Sequence, residues 1–389
     1  MDKVRMGVIG LGNMGAFHAG YMDSIAGATL SAVCDVDRAR AERACKGGNA
    51  AKFQTYSELI NSGTVDAILI ATPHFQHCEI ARAAFAKGLH VLMEKPMAVT
   101  IKDARQTIQS HAQAPGLKFG MMFQMRTFPI FRKVRELIAE GELGEISRVT
   151  WLITDWFRTW TYYGSGGWRA TWAGEGGGVL LNQCPHNLDL LHWLTGMMPS
   201  RITAVANIGK THPIEVEDEV SAILEYPNGA MGQFVTTTGE APGTNRLEIS
   251  GDRGKLVVEK GKLVFTRTRK SVREIREKSP EAFATPEAWE IDLPVKADGG
   301  DSHKIMTQNF VNGILKDEPL IAAGEEGAKG LEIGNAMLMA GITRQAVELP
   351  LDGDAYEQLL KDLTARYGGK KSVQARADAV ADINASFKH

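Results

Sequence analysis

The feature that most constrains this chain is a glycine motif set between an apolar strand and a helix near the N-terminus. Residues 4–9 form a predicted buried strand, and residues 10–15 then run GLGNMG before the first predicted helix. In this G-x-G-x-x-G arrangement Gly10 permits a tight turn, Gly12 lets the backbone approach a pyrophosphate, and Gly15 allows the helix to pack closely on the strand. The helix N-terminus also favours the phosphate charge. The motif therefore predicts a dinucleotide-binding loop with five contributing residues: Gly10, Gly12, Asn13, Met14 and Gly15.

An acidic residue follows the second predicted strand at the distance that such a loop requires. Asp35 ends the strand predicted at 29–34 and lies 20 residues after Gly15 (35 − 15 = 20), which is the spacing of the acid that binds the ribose hydroxyls. A carboxylate accepts hydrogen bonds from these hydroxyls and repels a 2′-phosphate. Arg38 and Arg40 are close enough in sequence to hold such a phosphate, so NAD is favoured and NADP is the alternative.

Strands and helices alternate over the first third of the chain. Apolar runs at 65–71, 90–94 and 118–123 are separated by helical segments, and this alternation predicts a parallel sheet covered by helices on both faces. We therefore expect an α/β fold with an N-terminal Rossmann dinucleotide-binding domain over 1–125.

The pattern changes after this domain. Short strand-like runs between 200 and 268 are joined by tight turns, and such turns imply antiparallel pairing. We expect 126–350 to form an α+β substrate-binding and oligomerisation domain around an open, mainly antiparallel sheet, with one continuous helix over 179–194. Residues 351–389 are a C-terminal extension, of which 368–389 is predicted to be a surface helix.

Composition excludes several classes of protein. The 389 residues are 44% hydrophobic and 23% charged, which is typical of a globular chain. With 44 basic and 46 acidic residues the net charge is −2, so nothing favours a nucleic-acid partner. The sequence has no apolar run of the about 18 residues that a membrane helix needs and no secretory signal pattern. Four scattered cysteines are typical of a reduced, cytoplasmic compartment.

Two further segments carry polar residues suited to chemistry. The tripeptide Glu-Lys-Pro at 94–96 follows an apolar strand, and ligands bind outside the carboxyl ends of parallel strands, so Lys95 is expected near the reacting end of a dinucleotide. In the second segment Asn182, His186 and Asp189 fall at i, i+4 and i+7, which is one face of a helix. A solvated ion pair and a structural histidine are the alternative interpretations of these two segments.

Taken in order along the chain, these features resemble the Gfo/Idh/MocA family of glucose–fructose oxidoreductase, inositol 2-dehydrogenase and MocA-type dehydrogenases, over roughly residues 3–350. The resemblance rests on the glycine loop and on further landmarks in the family's order: Ala71-Thr72-Pro73 with His77, Gly88 to Pro96, Arg126 with Pro129, residues 141–146, Gly176 to Asp189, Asn309-Phe310 and residues 324–327. It implies an NAD(P)-dependent oxidoreductase whose cofactor site adds five residues to the loop and Asp35: Thr72, Pro73, His77, Glu94 and Lys95.

The resemblance also implies roles at the reacting centre. Lys95 would be the catalytic lysine beside nicotinamide and substrate, and His186 matches the family histidine that acts as acid or base or orients the substrate hydroxyl. Asn182 stands where many members have Asp, so no Asp–His dyad is carried over, and Lys95 and His186 are the candidates for proton transfer. The Asn-Gln-x-x-His pattern is similar to that of members acting on nucleotide sugars, particularly at C3.

A loop rich in aromatic and arginine side chains precedes this segment. Sugars present apolar C–H faces and hydroxyl edges, which suit tryptophan rings with polar donors, and arginines could hold an anionic group. We expect the substrate to contact seven residues: Lys95, Arg158, Tyr163, Trp168, Arg169, Asn182 and His186. A cluster at the domain interface is the alternative. No metal site is expected, because His74-x-x-His77 lacks a third ligand at a suitable spacing.

The leading functional hypothesis is an NAD-dependent dehydrogenase that oxidises a secondary hydroxyl of a sugar, a sugar derivative or a cyclitol. The alternative is a redox-assisted glycoside hydrolase that oxidises, eliminates, adds water and reduces again, including on an anionic sugar glycoside. A non-catalytic NAD(H) sensor is a third class, against which Lys95 and His186 argue. An open sheet needs cover on one face, and the resemblance suggests two such sheets packed in a homodimer or homotetramer.

Overall fold

The computed structural model describes residues 2–45, 48–296 and 300–373, and these contain two β-sheets. The N-terminal part alternates strands and helices in the order β1 (Val4–Ile9), α1 (Asn13–Tyr21), β2 (Ala28–Cys34), α2 (Arg38–Ala44), β3 (Ala51–Phe53), α3 (Tyr56–Asn61), β4 (Ala67–Ile70), α4 (His77–Ala86), β5 (His90–Met93), α5 (Ile101–Ala112) and β6 (Phe119–Met121).

The first sheet is parallel throughout, with the strand order β3-β2-β1-β4-β5-β6. Its central strands are apolar because both faces are covered, and all four residues of β4 are buried. The strand order reverses between β1 and β4, and ligands bind outside the carboxyl ends of the strands at such a point. The predicted Rossmann fold is confirmed. The loops after β1, β2, β4 and β5 carry the glycine motif, Asp35, Thr72 and Lys95 to this one edge.

The remainder of the described chain forms the second sheet and its helices. The elements are α6 (Pro129–Ala139), β7 (Ile146–Ile153), α7 (Trp160–Gly164), α8 (Val179–Asn182), α9 (Pro185–Thr195), β8 (Arg201–Ile208), β9 (Glu217–Glu225), β10 (Met231–Thr237), β11 (Asn245–Gly251), β12 (Gly254–Glu259), β13 (Lys262–Thr268), α10 (Val272–Lys278), β14 (Ala288–Leu293), α11 (Ser302–Lys316), α12 (Gly327–Thr343), β15 (Val347–Glu348) and α13 (Gly353–Tyr367).

The second sheet has nine strands in the order β14-β13-β12-β11-β7-β10-β9-β8-β15. Every neighbouring pair is antiparallel except β7 and β10, which run parallel. The expected mainly antiparallel α+β arrangement is therefore confirmed. Helices α12 and α8 pack against this sheet, and α9 packs on α12.

The division of the chain at residue 125 stays a prediction. The first sheet ends at Met121 and the second begins at Ile146. Part of the later chain returns to the first sheet, because α11 contacts β1 and β5 and Ala323 forms a bridge to Gly120. The two sheets are therefore joined by packing as well as by the chain that runs between them.

The continuous helix predicted over 179–194 is wrong. Helix α8 ends at Asn182, and α9 begins at Pro185. Proline suits the first turn of a helix but has no N–H to continue one, so its position marks the new start. Asn182 therefore lies on a different helix from His186 and Asp189, and the three do not share one helix face.

The C-terminal extension begins with α13, which the sequence patterns did not predict. The surface helix predicted over 368–389 is wrong for 368–373, which are not helical, and its remainder, 374–389, lies outside the described residues. The non-helical segment contacts the loop after α7, since Lys371 Nζ donates to the carbonyl oxygens of Gly166 at 3.1 Å and Arg169 at 2.7 Å.

None of the helices in the described residues combines the length and apolar character needed to cross a membrane. No group of three or more His, Cys, Asp or Glu side chains among these residues is arranged to hold a metal ion.

Candidate functional site

The glycine loop joins β1 to α1 at the carboxyl edge of the first sheet. Gly10 has φ +86°, and a Cβ on Gly15 would lie 1.7 Å from the Gly10 carbonyl oxygen, so larger residues are excluded at both positions. A Cβ built on Gly12 meets nothing within 4 Å, which leaves the backbone open to a ligand. Asn13 and Met14 open α1, whose N-terminus receives no side-chain cap. These residues fit a dinucleotide pyrophosphate.

Asp35 faces this loop from the end of β2. Its Oδ2 accepts a hydrogen bond from the Leu11 N–H at 2.7 Å, and its Oδ1 accepts one from the Asp37 N–H at 2.9 Å. Arg40 Nη1 lies 3.9 Å from Oδ2, whereas Arg38 pairs with Glu42. The carboxylate is therefore held at the edge of the loop, and its contact with the ribose stays a prediction.

The turns after β4 and β5 are joined by His77. Its Nδ1 lies 2.8 Å from the carbonyl oxygen of Pro96, and its Nε2 lies 2.8 Å from that of Thr72. Both ring nitrogens of His77 therefore face backbone carbonyls and position the two turns, and its contact with a cofactor stays a prediction. The hydroxyl of Thr72 is buried and has no partner among the described residues, which fits the predicted cofactor contact of Thr72 and Pro73.

Glu94 belongs to a buried network that the sequence did not reveal. Its Oε1 lies 2.7 Å from Nε2 of His18 on α1, and Nδ1 of that ring lies 2.6 Å from the Tyr21 hydroxyl. The Tyr21 hydroxyl in turn forms a hydrogen bond with the Thr307 hydroxyl on α11 at 2.8 Å. Burial alone would raise the pKa of Glu94, but the hydrogen bond and charge of His18 outweigh it and hold that pKa at about 2. The carboxylate is therefore ionised and fixed beside Lys95.

Lys95 stands on the turn after β5 and reaches across to the second domain. Its Nζ donates to the carbonyl oxygen of Asn182 at 3.0 Å. Burial lowers the pKa of Lys95, Glu94 and Glu175 oppose this change, and Arg169 and Arg158 add to it. A lysine whose pKa is lowered can lose its proton more easily than one in water, which suits a proton acceptor.

His186 lies near Lys95 on α9 and is 2% exposed. Its Nε2 is 3.0 Å from Nε2 of Gln124, and its Nδ1 is buried without a partner among the described residues. With the Gln124 amide donating to Nε2, the ring proton lies on Nδ1. Burial and then the Lys95 charge lower the pKa of His186 to about 3, so the ring is neutral and suited to donate a hydrogen bond to a substrate oxygen.

Asp189 is not part of this reacting centre. Its carboxylate forms two hydrogen bonds with Arg126, at 2.8 Å to Nε and 2.6 Å to Nη2. Arg126 also bonds to Glu326 at 2.5 Å. The pair ties α9, which carries His186, to the turn that carries Gln124.

Asn182 takes part in a closed ring of side chains. Its Nδ2 donates to Glu175, and its Oδ1 accepts from the Tyr162 hydroxyl at 3.1 Å. Arg169 Nη1 donates to the same hydroxyl at 2.7 Å and lies 3.6 Å from Glu175 Oε1. Of these four residues, the sequence predicted Arg169 and Asn182 and missed Tyr162 and Glu175.

The aromatic loop brings some of the residues predicted to contact the substrate close to the site. Arg158 lies over the ring of Tyr162 at 5.1 Å, and Trp168 packs edge-on against His74 at 5.7 Å. The hydroxyl of Tyr163 donates to Thr238 at 2.8 Å and its side chain is buried, so its contact with the substrate stays a prediction. Successive helical residues point about 100° apart, so on α7 it is Tyr162 that faces the site.

Comparison with known proteins decides the family. Residues 4–121 match the model of an oxidoreductase family with an NAD-binding Rossmann fold, and residues 131–257 match the GFO/IDH/MocA C-terminal domain. The chain belongs to the Gfo/Idh/MocA oxidoreductase family. The expected resemblance is therefore confirmed, and the protein is an oxidoreductase with an NAD-binding domain.

Individual members of the Gfo/Idh/MocA family match nearly the whole chain. The 1,5-anhydro-D-fructose reductase of Ensifer adhaerens is 27% identical over 348 residues, covering 89% of this chain and 98% of the relative. The myo-inositol 2-dehydrogenase of Thermotoga maritima is 25% identical with the same two coverages. The WlbA dehydrogenase of Bordetella pertussis, solved with NADH and UDP-GlcNAcA, is 26% identical with a TM-score of 0.75, covering 90% of this chain and all of that one.

Proposed function

We propose that this protein is an NAD-dependent dehydrogenase that oxidises a secondary hydroxyl of a sugar, a sugar derivative or a cyclitol. The placement of Lys95 carries the proposal: its ammonium group lies at the sheet edge where the glycine loop ends and contacts the carbonyl of Asn182. The unpartnered Nδ1 of His186 lies close by. The names of the two relatives, an anhydrofructose reductase and a myo-inositol dehydrogenase, support the substrate class.

In this proposal NAD supplies the hydride acceptor. Lys95 takes the proton from the substrate hydroxyl, which its lowered pKa favours. His186 donates from Nδ1 to the same oxygen and so orients the carbon that loses hydride. Because one proton and one hydride leave the substrate, the alcohol becomes a ketone.

The charges at the site favour a substrate with an acidic group. Lys95, Arg158 and Arg169 bring three cations to the site against the two carboxylates of Glu94 and Glu175, which leaves an excess of one positive charge. A uronic or nucleotide-linked sugar oxidised at C3 is therefore the first candidate within the proposed class, and the UDP-GlcNAcA bound by the WlbA dehydrogenase is of this kind. Trp168, with its ring exposed in part, is the aromatic surface proposed for the sugar.

The experiment is a screen of sugars, uronic acids, nucleotide sugars and cyclitols, following reduced-nicotinamide absorbance with the wild type and Lys95→Ala. We expect net NADH formation by the wild type and a loss of at least about 100-fold in the variant, as for a removed general base. Near-normal turnover by Lys95→Ala would contradict the assignment. Cleavage of a chromogenic glycoside without net NADH would favour the hydrolase alternative, which the names of the relatives do not support.

We further propose a homodimer or homotetramer in a reduced, cytoplasmic compartment. The outer face of the second sheet exposes Val205, Ile223 and Met231 on three adjacent strands, each 45–46% exposed, and burial of such a face stabilises an oligomer. The four cysteines are free and buried. Light scattering at micromolar concentration tests the assembly, and a monomer would contradict it.

A further inference from the structure

We propose that Glu175 is the positioning carboxylate of this site, holding Asn182 and Arg169 around the ammonium group of Lys95 and opposing the charge of both cations. The side chain precedes the three glycines at 176–178 and is 1% exposed. A buried carboxylate needs hydrogen bonds or charges to balance the loss of water. The donors and cations around the Glu175 carboxylate therefore indicate its role in the site.

The groups that the structure describes against the Glu175 carboxylate are all hydrogen-bond donors. Its Oε2 accepts from the Ala170 N–H at 2.5 Å, and its Oε1 accepts from Asn182 Nδ2 and lies 3.6 Å from Arg169 Nη1. Among the described residues, three donors and no acceptor lie against this carboxylate, an arrangement that favours its ionised form. Burial is the larger effect and raises the pKa of Glu175 above its ordinary value, although these donors and Lys95 oppose the change.

Two paths lead from this carboxylate to Lys95. The first is mechanical, because Glu175 anchors the Asn182 side chain and the main-chain carbonyl of the same residue accepts from Lys95 Nζ at 3.0 Å. The second is electrostatic, because the negative charge stabilises the protonated form of Lys95 while Arg169 destabilises it. The main-chain carbonyl of Glu175 also bonds His74 at 3.1 Å, which fixes the loop against the first domain.

The charge on Lys95 is therefore set by groups from several elements. The titratable groups that interact electrostatically with Lys95 come from both parts of the chain. They are Glu94 in its own turn, His74 after β4, His77 on α4, Arg158 after β7, Arg169 and Glu175 before α8, Cys184 and His186 around the start of α9, and His303 on α11. Glu94 and Glu175 are the carboxylates in this set. Removing one of them lowers the pKa of Lys95, and removing Arg169 raises it.

The inference rests on the proposed role of Lys95 as proton acceptor, and its test compares Glu175→Gln with the wild type. The variant keeps the shape and the acceptor oxygen but not the charge. We expect the acidic limb of the kcat/KM profile for alcohol oxidation to move to lower pH by about one unit, the size expected for one nearby charge. Arg169→Met should move the limb to higher pH, and Glu175→Asp, which keeps the charge, should leave it near the wild-type position.

Glu217→Gln is the matched control. Glu217 is also buried, but its carboxylate accepts from the backbone amides of Gly178 and Leu180. The charges that act on Lys95 are those of Glu94, Glu175, Arg169 and Arg158, so this variant should not move the limb. A loss of rate in Glu175→Gln at every pH with an unmoved limb would overturn the proposal and leave Glu175 a structural residue.

A second readout does not depend on turnover. The pH dependence of reductive methylation at Lys95, measured by peptide mass spectrometry on the protein without substrate, should shift in the same directions in both charge variants. If the wild type oxidises no sugar, the proposed function fails while this labelling still tests Glu175. If the wild type is active and the labelling does not shift, the Glu175 proposal alone fails.

Discussion

Replacing Arg126 by leucine should strongly destabilise the protein. Arg126 is 1% exposed, and its guanidinium forms a bidentate ion pair with Asp189, which is equally buried. Loss of Arg126 leaves the buried Asp189 carboxylate without its guanidinium partner, with the His192 ring 3.4 Å from Oδ1, at a cost of about 3–5 kcal/mol. At about 2–4 °C per kcal/mol for a domain of this size, the midpoint of thermal unfolding should fall by about 6–20 °C.

Asp189 provides the control variant, and the ionisation of its carboxyl group determines how the stability changes with pH. Arg126→Leu with Asp189→Asn removes the unpaired charge and should recover more than half of the loss. In the wild type burial raises the pKa of Asp189, but Arg126 outweighs it and holds the pKa below its usual value, so the pair stabilises the fold above about pH 4 and less below it. In Arg126→Leu the unpaired carboxyl takes up a proton as pH falls, and the difference from the wild type should shrink.

Circular dichroism during heating, at several pH values, measures these shifts. A fall of less than about 2 °C in Arg126→Leu at neutral pH would refute the reasoning, because it would correspond to at most about 1 kcal/mol. A double variant no more stable than the single one would show that the lost packing of Arg126, and not the unpaired charge of Asp189, sets the cost.

Two further changes test the cofactor and substrate contacts. Asp35→Ser should weaken NAD binding about tenfold to a hundredfold, because it removes charged hydrogen bonds to the ribose. Fluorescence titration should also show a shift of cofactor preference towards NADP. If the wild type bound NADP more tightly than NAD, the assignment of Asp35 would be wrong. His186→Gln should lower kcat/KM about 3- to 10-fold, the worth of one hydrogen bond, and leave the pH profile unchanged between pH 6 and 9. Because the pKa of His186 is about 3, loss of the profile in this variant would show that His186 is the base.

The elements that the sequence predicted well are those whose pattern is local. The strands β1, β4 and β5 are mainly apolar, and the strands of the second sheet are separated by glycine-rich turns. Among the elements that it missed, β14 is mostly exposed and α10 has no buried residue. Helix α13 was missed although it buries Tyr356, Leu360 and Leu363. The break between α8 and α9 was marked by Pro185, which the apolar pattern on either side outweighed.

For the site, the sequence determined the parts whose geometry depends on neighbouring backbone. Gly10 and Gly15 are recognisable because only glycine fits a positive φ and a 1.7 Å approach, and Asp35 follows at a fixed distance along one βαβ unit. Lys95 follows a strand and so must lie at the same edge. These residues needed no knowledge of what packs against them.

Only the tertiary structure decided which side chains meet Lys95 and His186. Glu94 pairs with a histidine 76 positions away, and His186 with a glutamine 62 positions away, and no local pattern links such residues. The glutamate directly before the glycines at 176–178 was the one visible signal for Glu175, but its meaning depends on Arg169 and Asn182 being folded around it. Burial then sets the protonation of Lys95 and His186, because removing water from a charged group shifts its pKa and only the folded chain removes that water.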